Sequence, residues 1–253
     1  MDIALLQRWI LGVLLLSLRI APLFSFAPPF TLVRLPAMFR MLFGIALAAA
    51  LLSARPALYQ ALPLDLGSLA VAGARELMVG LVFMLAFQLV FGAIYFIGRT
   101  IDVQAGFGLS LLIDPGSGAR APMVGTIFAF LAGMLFFAMN GHHDLLRIIA
   151  ASLDAIPIGQ GGLPDSPGPM LGFISLLFLT AVGVGGGIML ALFLADLTIA
   201  MLSRTVPQMN VLVLGFQVKA MVLLVAMPLT LGLSAVLLAR MMRITLETLP
   251  VLL

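Results

Sequence analysis

The stretch Gly106-Phe-Gly-Leu-Ser-Leu-Leu-Ile-Asp-Pro-Gly-Ser-Gly-Ala-Arg-Ala-Pro122 is too apolar for a solvated loop and too broken for a helix. Its glycines admit backbone angles that other residues avoid, and its prolines remove hydrogen-bond donors and end helices. Lipid cannot solvate the free backbone groups of such a segment. We therefore expect the segment to lie inside protein or to line a cavity.

The rest of the chain has the composition of a membrane protein. Of its 253 residues, 63% are hydrophobic and only 9% are charged, whereas soluble globular proteins carry about 25% charged residues. The net charge of +3 comes from scattered arginines, and without a basic patch we expect no nucleic-acid partner. The absence of cysteine excludes disulfides, thiolate catalysis and cysteine-based metal sites.

The N-terminus does not resemble a cleaved signal peptide. Asp2 stands where such a peptide carries positive charge, and Arg8 and Arg19 interrupt the apolar region that follows. We expect the first helix to remain in the mature protein.

Six apolar segments predict an all-α, membrane-type protein with about six long helices, kinked by proline and glycine. Crossing a bilayer takes about 20 apolar residues, which most of these segments supply. The proline- and glycine-rich stretch 157–169 predicts a boundary between an N-terminal part, residues 1–165, and a C-terminal helical hairpin, residues 166–253. The segments are Ala4–Phe26, Ala37–Ala54, Leu77–Ile97, Ala121–Met139, Met170–Ala195 and Val211–Ala239.

The distribution of arginine does not orient these segments in a membrane. If all six span, the connections carry five arginines on each side, although the cytoplasmic side of a membrane protein normally has an excess. Charges also fall inside the first, second and last segments. This pattern indicates that some helices pack against other subunits rather than lipid.

No motif in the sequence predicts catalysis, a cofactor or a metal site. His142-His143-Asp144 has no glutamate at the spacing of zinc proteases, and adjacent helical residues point about 100° apart. A helix that starts after Asn140-Gly141 explains these residues better. The acidic residues are dispersed and form no acid–base pair, so we expect no enzyme activity.

Two features of the last helices allow more than one interpretation. The Gly183-x-x-x-Gly187 spacing lets two helices approach closely, either within the chain or against a neighbouring subunit. Lys219 either extends to a membrane interface or is buried against a partner.

Five sequence patches together resemble the FliR family of flagellar export-gate proteins and their counterparts in virulence type III secretion (the FliR/SctT family). They occur in the family's order across nearly the whole chain. Two positions depart from the family's pattern. Gln217 stands where the family often has a proline after Gly-Phe, and Ala195-Asp196 replaces the asparagine-rich sequence that usually precedes the Arg-x-x-Pro-Gln motif. The patches are Arg19-Ile-Ala-Pro-Leu-Phe24; Gly106-Phe-Gly-Leu-Ser110 with Asp114-Pro115; Asn140-Gly-His142 with Pro157-Ile-Gly159; Arg204-Thr-Val-Pro-Gln-Met-Asn210; and Gly215-Phe216.

The resemblance implies a subunit of a cone-like export gate. Family members assemble with FliP and FliQ, next to FlhB and FlhA at the flagellar base, and pass unfolded protein substrates. In the family, the fold resembles a FliP-like part fused to a FliQ-like hairpin. The resemblance implies that these parts are residues 1–165 and 166–253 of this chain. The complex lies largely outside the bilayer plane, in a bacterial inner membrane, which would account for the unbiased arginines while leaving some contact with lipid.

The resemblance also places the broken apolar stretch in the central pore as part of a plug. Apolar side chains can close a narrow pore by excluding water and ions, which gives this role a physical basis. The predicted plug or gate residues are Gly106, Phe107, Gly108, Leu109, Ser110, Leu111, Leu112, Ile113, Asp114, Pro115 and Gly116.

Several further residues are expected to contact partner subunits or to have structural roles. Arg19 and Arg34 would be costly in lipid, and a subunit boundary would supply partners for them. The turn 204–210 is either a second functional contact or a capped connection between helices. The residues concerned are Arg19, Arg34, Arg204, Pro207, Gln208, Asn210, Lys219, Gly183 and Gly187.

Two other functions compete with a pore subunit. A secondary transporter would also use broken helices at mid-membrane, but no acidic residue lies centrally in a predicted span, and Gln88 is the main polar group in the third segment. A purely structural subunit would nucleate the assembly and tolerate polar substitutions in the stretch 106–122.

Overall fold

The fold is described from a computed structural model, which describes residues 3–60, 62, 64–107, 122–162, 166–205 and 210–253. In this part of the chain the regular structure consists of eight helices, without strands, so the all-α prediction is confirmed. The helices are α1 Ile3–Phe26, α2 Ala37–Ala54, α3 Ala57–Gln60, α4 Leu66–Gln104, α5 Met123–Ala138, α6 Gly141–Ala155, α7 Gly168–Thr205 and α8 Val211–Leu252.

Each predicted apolar segment corresponds to a helix in the described residues, but three helices are much longer than predicted. The bounds predicted for α2 are those observed, and α6 begins at Gly141, one residue before the predicted start. The third segment was predicted to begin at Leu77, which is wrong: α4 begins at Leu66 and has 39 residues. Helices α7 and α8 also continue past the predicted ends, to 38 and 42 residues.

The early start of α4 has a local cause in Asp65. The Ser68 hydroxyl and the Ser68 N–H both donate to Asp65 Oδ2, at 2.7 and 2.8 Å. This is the usual way in which an aspartate satisfies the free N–H groups at a helix start. The hydrogen bonds from the Ser68 side chain and then from its backbone hold the pKa of Asp65 below its ordinary value of 3.8.

Five of the described helices, namely α1, α2, α4, α7 and α8, are long and apolar enough to cross a membrane. Helices α5 and α6 meet the same criterion only as a pair, across a bend of 70°, which brings the number of candidate spans to six. The break falls at Asn140, which has a left-handed φ of 59°. This agrees with the prediction of about six apolar helices.

The chain divides into two compact units, each assembled from separate stretches of sequence. Unit 1 contains residues 1–90, 136–174 and 242–253, and unit 2 contains residues 91–135 and 175–241. Helices α4, α5, α7 and α8 contribute residues to both units. The division predicted near residue 165 separates a FliP-like part from a FliQ-like hairpin. These two units do not test that division, and it stays a prediction.

The core of unit 1 lies between α1, α2, α6 and the first half of α4. Phe83, Phe87 and Phe136 are completely buried, and the rings of Phe87 and Phe136 meet edge to face at 5.6 Å. Helices α1 and α2 approach closely at Gly44, where an added Cβ would lie 3.1 Å from the Cα of Ala21.

Unit 2 packs the second half of α4 against α5 and α7. A close backbone approach joins Gly98 of α4 and Gly125 of α5, where a Cβ on Gly98 would lie 2.1 Å from the Gly125 Cα. On another side of α4, a Cβ on Gly185 of α7 would lie 2.6 Å from Ile97. Glycine is therefore required at these helix crossings for steric reasons.

The substitution Gly98→Ala is expected to destabilise the protein by about 1–3 kcal/mol, because overpacking would push α4 and α5 apart. The matched control is Gly92→Ala on the same helix, where an added Cβ meets nothing within 4 Å. Thermal unfolding of both variants in detergent measures the difference. Equal melting temperatures for the two variants would show that the close helix crossing is absent.

Candidate functional site

The most deeply buried charges of unit 1 form an ion pair between α1 and α4. The Arg19 guanidinium donates to both carboxylate oxygens of Glu76, from Nε at 2.7 Å and from Nη2 at 2.8 Å. Both side chains are fully buried. A two-point contact of this kind is among the strongest geometries available to an ion pair in a protein.

Other groups of the same chain complete the coordination of this pair. Arg19 Nη1 donates to the carbonyl and the hydroxyl oxygen of Ser152, each at 3.2 Å, and Nη2 donates to the Ile156 carbonyl at 3.0 Å. The Gly159 N–H donates to Glu76 Oε1 at 2.8 Å. All five N–H groups of the guanidinium are thereby used, and the pair connects α1, α4, α6 and the turn after α6.

Glycine is required at two points around this pair. Gly159 has a φ of +79°, in the left-handed region, and its carbonyl accepts from Arg75 at 3.0 Å. One turn after Glu76, a Cβ on Gly80 would lie 2.5 Å from the Leu18 carbonyl oxygen. Helix α1 therefore lies directly against α4 where Arg19 reaches Glu76.

Two sequence predictions concern this site. Arg19 was expected to find its partners across a subunit boundary, but its own chain satisfies it completely. No acidic residue was expected centrally in a span, and Glu76 lies in the first third of α4, just before the predicted apolar segment. That segment was predicted to begin at Leu77, directly after Arg75 and Glu76, whereas α4 contains both residues. The Asp65-x-x-Ser68 cap signature, with no proline between it and Leu77, could have shown that the helix begins earlier.

The predicted plug begins where α4 ends, and Gly106 produces that end. Gly106 has a φ of +91°, and its N–H donates to the Val103 carbonyl at 3.1 Å. The Phe107 N–H donates to the Asp102 carbonyl at 2.9 Å. This pair of bonds is the Schellman motif, in which a left-handed glycine closes a helix. Gly106 therefore has a defined role in ending the helix.

The side chain of Asp102 also binds the chain at the far end of the predicted plug. Asp102 Oδ1 accepts from the Val124 N–H at 3.3 Å, at the start of α5, and Asp102 is only 7% exposed. One residue therefore holds the backbone on both sides of residues 108–121. Of the predicted plug, residues 108–116 lie outside the described part of the chain.

The end of α4 also contacts α8. The rings of Phe107 and Phe216 meet edge to face at 6.0 Å, and a Cβ on Gly106 would lie 3.2 Å from the Phe216 ring. Two of the patches that resemble the FliR family, at 106 and at 215, are thus in contact within unit 2.

Helices α7 and α8 pack on each other along the predicted glycine spacing. A Cβ on Gly183 would lie 3.2 Å from Leu237, and one on Gly187 would lie 2.9 Å from Thr230. The Ser234 hydroxyl donates to the Val184 carbonyl at 2.9 Å between them. Of the two interpretations, packing within the chain therefore describes these two glycines.

Lys219 has a partner that the sequence did not suggest. Its Nζ forms an ion pair with Asp196 Oδ1, which joins α8 to α7, and the two side chains are 21% and 42% exposed. The predicted alternatives were an interface position or burial against another subunit. The observed pair lies within the chain, and Asp196 is one of the positions that depart from the family pattern.

The remaining predicted contact residues are at the surface or outside the described residues. Arg34 and Arg204 are exposed, and Arg204 lies in the last turn of α7. Asn210 precedes α8, where its carbonyl accepts from the Leu214 N–H at 3.1 Å. Pro207 and Gln208 are not among the described residues. The role of this turn in subunit contacts stays a prediction.

Groups of three or more metal-ligating side chains do not occur among the described residues. The rings of His142 and His143 lie 4.2 Å apart at the start of α6, and His142 also contacts Phe137 at 5.5 Å. In the described part of the chain, the two histidines therefore belong to the packing at a helix start.

The substitution Glu76→Leu is expected to destabilise the protein by about 3–5 kcal/mol, because it leaves a buried guanidinium without its counter-charge. The matched control is Asp154→Leu, which removes the acceptor of the half-exposed Arg55–Asp154 pair, 2.7 Å long. The control should cost at most about 1 kcal/mol. Denaturation of both variants in detergent measures the two costs, and similar costs would contradict the organising role of Glu76.

The substitution Asp102→Ala is expected to accelerate hydrogen exchange at the Val124 amide about tenfold or more, because that amide loses a charged acceptor. Asp102→Asn keeps an oxygen in place and should have a smaller effect. The Gly106 and Phe107 amides bond to backbone oxygens, so they act as internal controls. Unchanged exchange at Val124 would show that Asp102 does not hold the start of α5.

Comparison with known proteins agrees with the resemblance seen in the sequence. The family described as "Bacterial export proteins, family 1" matches residues 10–244. The chain is 30% identical over 241 residues to the flagellar biosynthetic protein FliR of Bacillus subtilis (strain 168), over 93% of this chain and 92% of the relative.

Two further relatives match over a little more than half of their lengths. The flagellar biosynthetic protein FliR of Escherichia coli (strain K12) is 28% identical over 145 residues, covering 56% of this chain and 55% of the relative. The surface presentation of antigens protein SpaR of Shigella flexneri is 29% identical over 148 residues, covering 58% of this chain and 57% of the relative. Since the family match extends over nearly the whole chain, the protein belongs to the bacterial export proteins of family 1, the FliR/SctT family.

Proposed function

We propose that this protein is a non-enzymatic core subunit of a flagellar type III protein export gate. It assembles with FliP-like and FliQ-like subunits, next to FlhB-like and FlhA-like proteins, in the bacterial inner membrane at the flagellar basal body. The stretch 106–116 closes the pore until unfolded export substrates or partner subunits displace it. Membership of the family and similarity to proteins named FliR support this proposal.

The observation that carries the proposal is the anchoring of the chain on both sides of the predicted plug. The Schellman motif at Gly106 ends α4, and Asp102 binds both the Phe107 N–H and the Val124 N–H. A plug needs fixed ends, because a segment without anchors would leave the pore rather than return to it. The segment between the anchors is rich in leucine and glycine and carries Asp114 and Arg120 as its only charges.

An apolar segment of this composition closes a pore by keeping water out. Apolar side chains cannot replace the water molecules around an ion, which is the basis of hydrophobic gating. In this segment they belong to Leu109, Leu111, Leu112 and Ile113. The gate opens when substrate or a partner binds the open state better than the closed one, and only that difference in affinity shifts the equilibrium.

Exposed apolar surface in the described residues supports a requirement for other subunits. In α8, Leu224 and Leu229 are 74% and 79% exposed, and in α2 Met38 is 66% exposed. Apolar area of this extent is covered by lipid or by other chains in a functional membrane protein. FliP-like and FliQ-like helices, together with membrane lipid, are the partners that fit this requirement.

A secondary transporter is the weaker alternative. Such a transporter uses an acidic group that is free to bind a coupling ion. Glu76 lies in a candidate span, but it is completely buried and is occupied by Arg19 and Gly159. The charge of this carboxylate is therefore already balanced by a buried guanidinium rather than left for a coupling ion.

The gating role is tested by polar substitution of the predicted plug. The double substitution Leu109→Asn with Leu112→Asn should make cells expressing the complex leaky to small ions, because polar side chains hydrate the closed pore. Deletion of Gly108–Gly118 should produce a larger leak. Membrane conductance and dye uptake measure both effects.

The control substitution is Leu229→Asn, which places the same polar group on the exposed face of α8. It should not increase conductance. Co-purification with tagged FliP-like and FliQ-like chains establishes that each variant assembles. Intact assembly with no leak in either plug variant would contradict the gating role and would favour the purely structural subunit.

A further inference from the structure

Unit 1 contains an open, strongly apolar pocket of about 430 Å³, a volume within the range that small ligands occupy. It lies between the connection after α1, the first turn of α2 and the beginning of α6. Aromatic rings form most of its wall, and the Phe24 ring contacts the rings of Phe30 and Phe43 at 4.6 and 5.0 Å. Its mouth includes Val33 and Phe39, which are 57% and 65% exposed.

Unsatisfied polar atoms are concentrated at this pocket. In the part of the chain that the structure describes, the buried side-chain atoms without a hydrogen-bond partner are Arg40 Nε, Ser25 Oγ, His142 Nδ1 and, away from the pocket, Arg8 Nε. Arg40 and His142 line the pocket, and the Ser25 carbonyl accepts from Arg40 Nη1 at 2.8 Å. Buried polar groups in proteins are normally paired, so such a cluster indicates a missing partner.

The charge at this position is positive. The guanidinium of Arg40 binds a neutral carbonyl oxygen and forms no ion pair with a described residue. Arg40 also lies in the first turn of α2, whose N-cap residue Pro36 makes no side-chain hydrogen bond to the free N–H groups. A helix start carries partial positive charge. The pocket therefore combines an apolar interior with a cationic edge.

We propose that this pocket binds an anionic phospholipid, with one acyl chain against the phenylalanine rings and the phosphate beside Arg40. Arginines at the end of a membrane helix lie at the level of the lipid headgroups, and basic pockets between helices bind acidic headgroups. The bound phosphate supplies the negative charge that Arg40 lacks, and the acyl chain covers the exposed apolar wall.

The size of the pocket favours a lipid over a helix of a partner protein. A helix about 10 Å wide occupies roughly 400 Å³ for each turn, so the pocket would accept only about one turn. A flexible acyl chain can follow a space bounded by ring faces.

The lipid site is independent of the proposed gate, because its residues lie outside the stretch 106–122.

Native mass spectrometry of the full chain tests the proposal in micelles that contain equal amounts of phosphatidylglycerol and phosphatidylcholine. We expect selective retention of phosphatidylglycerol, and Arg40→Ala should lower its binding about fivefold, the factor that one arginine contributes at an acidic membrane. The matched control is Arg34→Ala, which removes a cation from the connection just before α2 but not from the pocket wall. It should leave the selectivity unchanged.

A second variant keeps the charge and blocks the space. Val33→Trp at the mouth should reduce retention of both lipids while Arg40 is still present. Equal retention of the two lipids by the unmodified chain, or equal losses for Arg34→Ala and Arg40→Ala, would overturn the site. A photo-crosslinker at position 39 that captures a partner chain instead of lipid would also overturn it.

Discussion

The ion pair between Arg19 and Glu76 fixes the arrangement of the helices in unit 1. Removal of two charges from water costs several kcal/mol for each ion, and close pairing offsets this cost only when the remaining hydrogen-bond groups are also satisfied. Here every N–H of the guanidinium has an acceptor, and these acceptors come from α4, α6 and the turn that follows α6. A small displacement of any of these elements would leave a charge in the apolar core without some of its hydrogen-bond partners.

This requirement explains why the patches that resemble the FliR family are far apart in sequence. The Arg19 patch and the Gly159 patch meet at the same carboxylate, and the Gly106 patch meets the Phe216 patch within unit 2. Four of the five patches are thus pieces of two structural centres rather than separate sites. One centre fixes a buried charge, and the other ends α4 and anchors the predicted plug.

Local patterns were sufficient to predict the helical class, the bounds of α2 and, to within one residue, the start of α6, because apolar runs and helix breakers are properties of neighbouring residues. The partner of Arg19 lies 57 residues away, and no local pattern contains such a pair. The third apolar segment was predicted to begin after Arg75 and Glu76, although α4 contains both residues and buries Glu76. The pair between Lys219 and Asp196 was missed for the same reason. The interior of the predicted plug, residues 108–116, lies outside the described part of the chain.

The central claim is that this protein works as one subunit of a mixed pore. The most direct test is to purify the tagged chain from its native membrane in mild detergent and to measure the mass and composition of the intact complex. The account predicts a complex that contains FliP-like and FliQ-like chains in a fixed ratio. A stable monomer, or an assembly of identical chains that supports export, would contradict it.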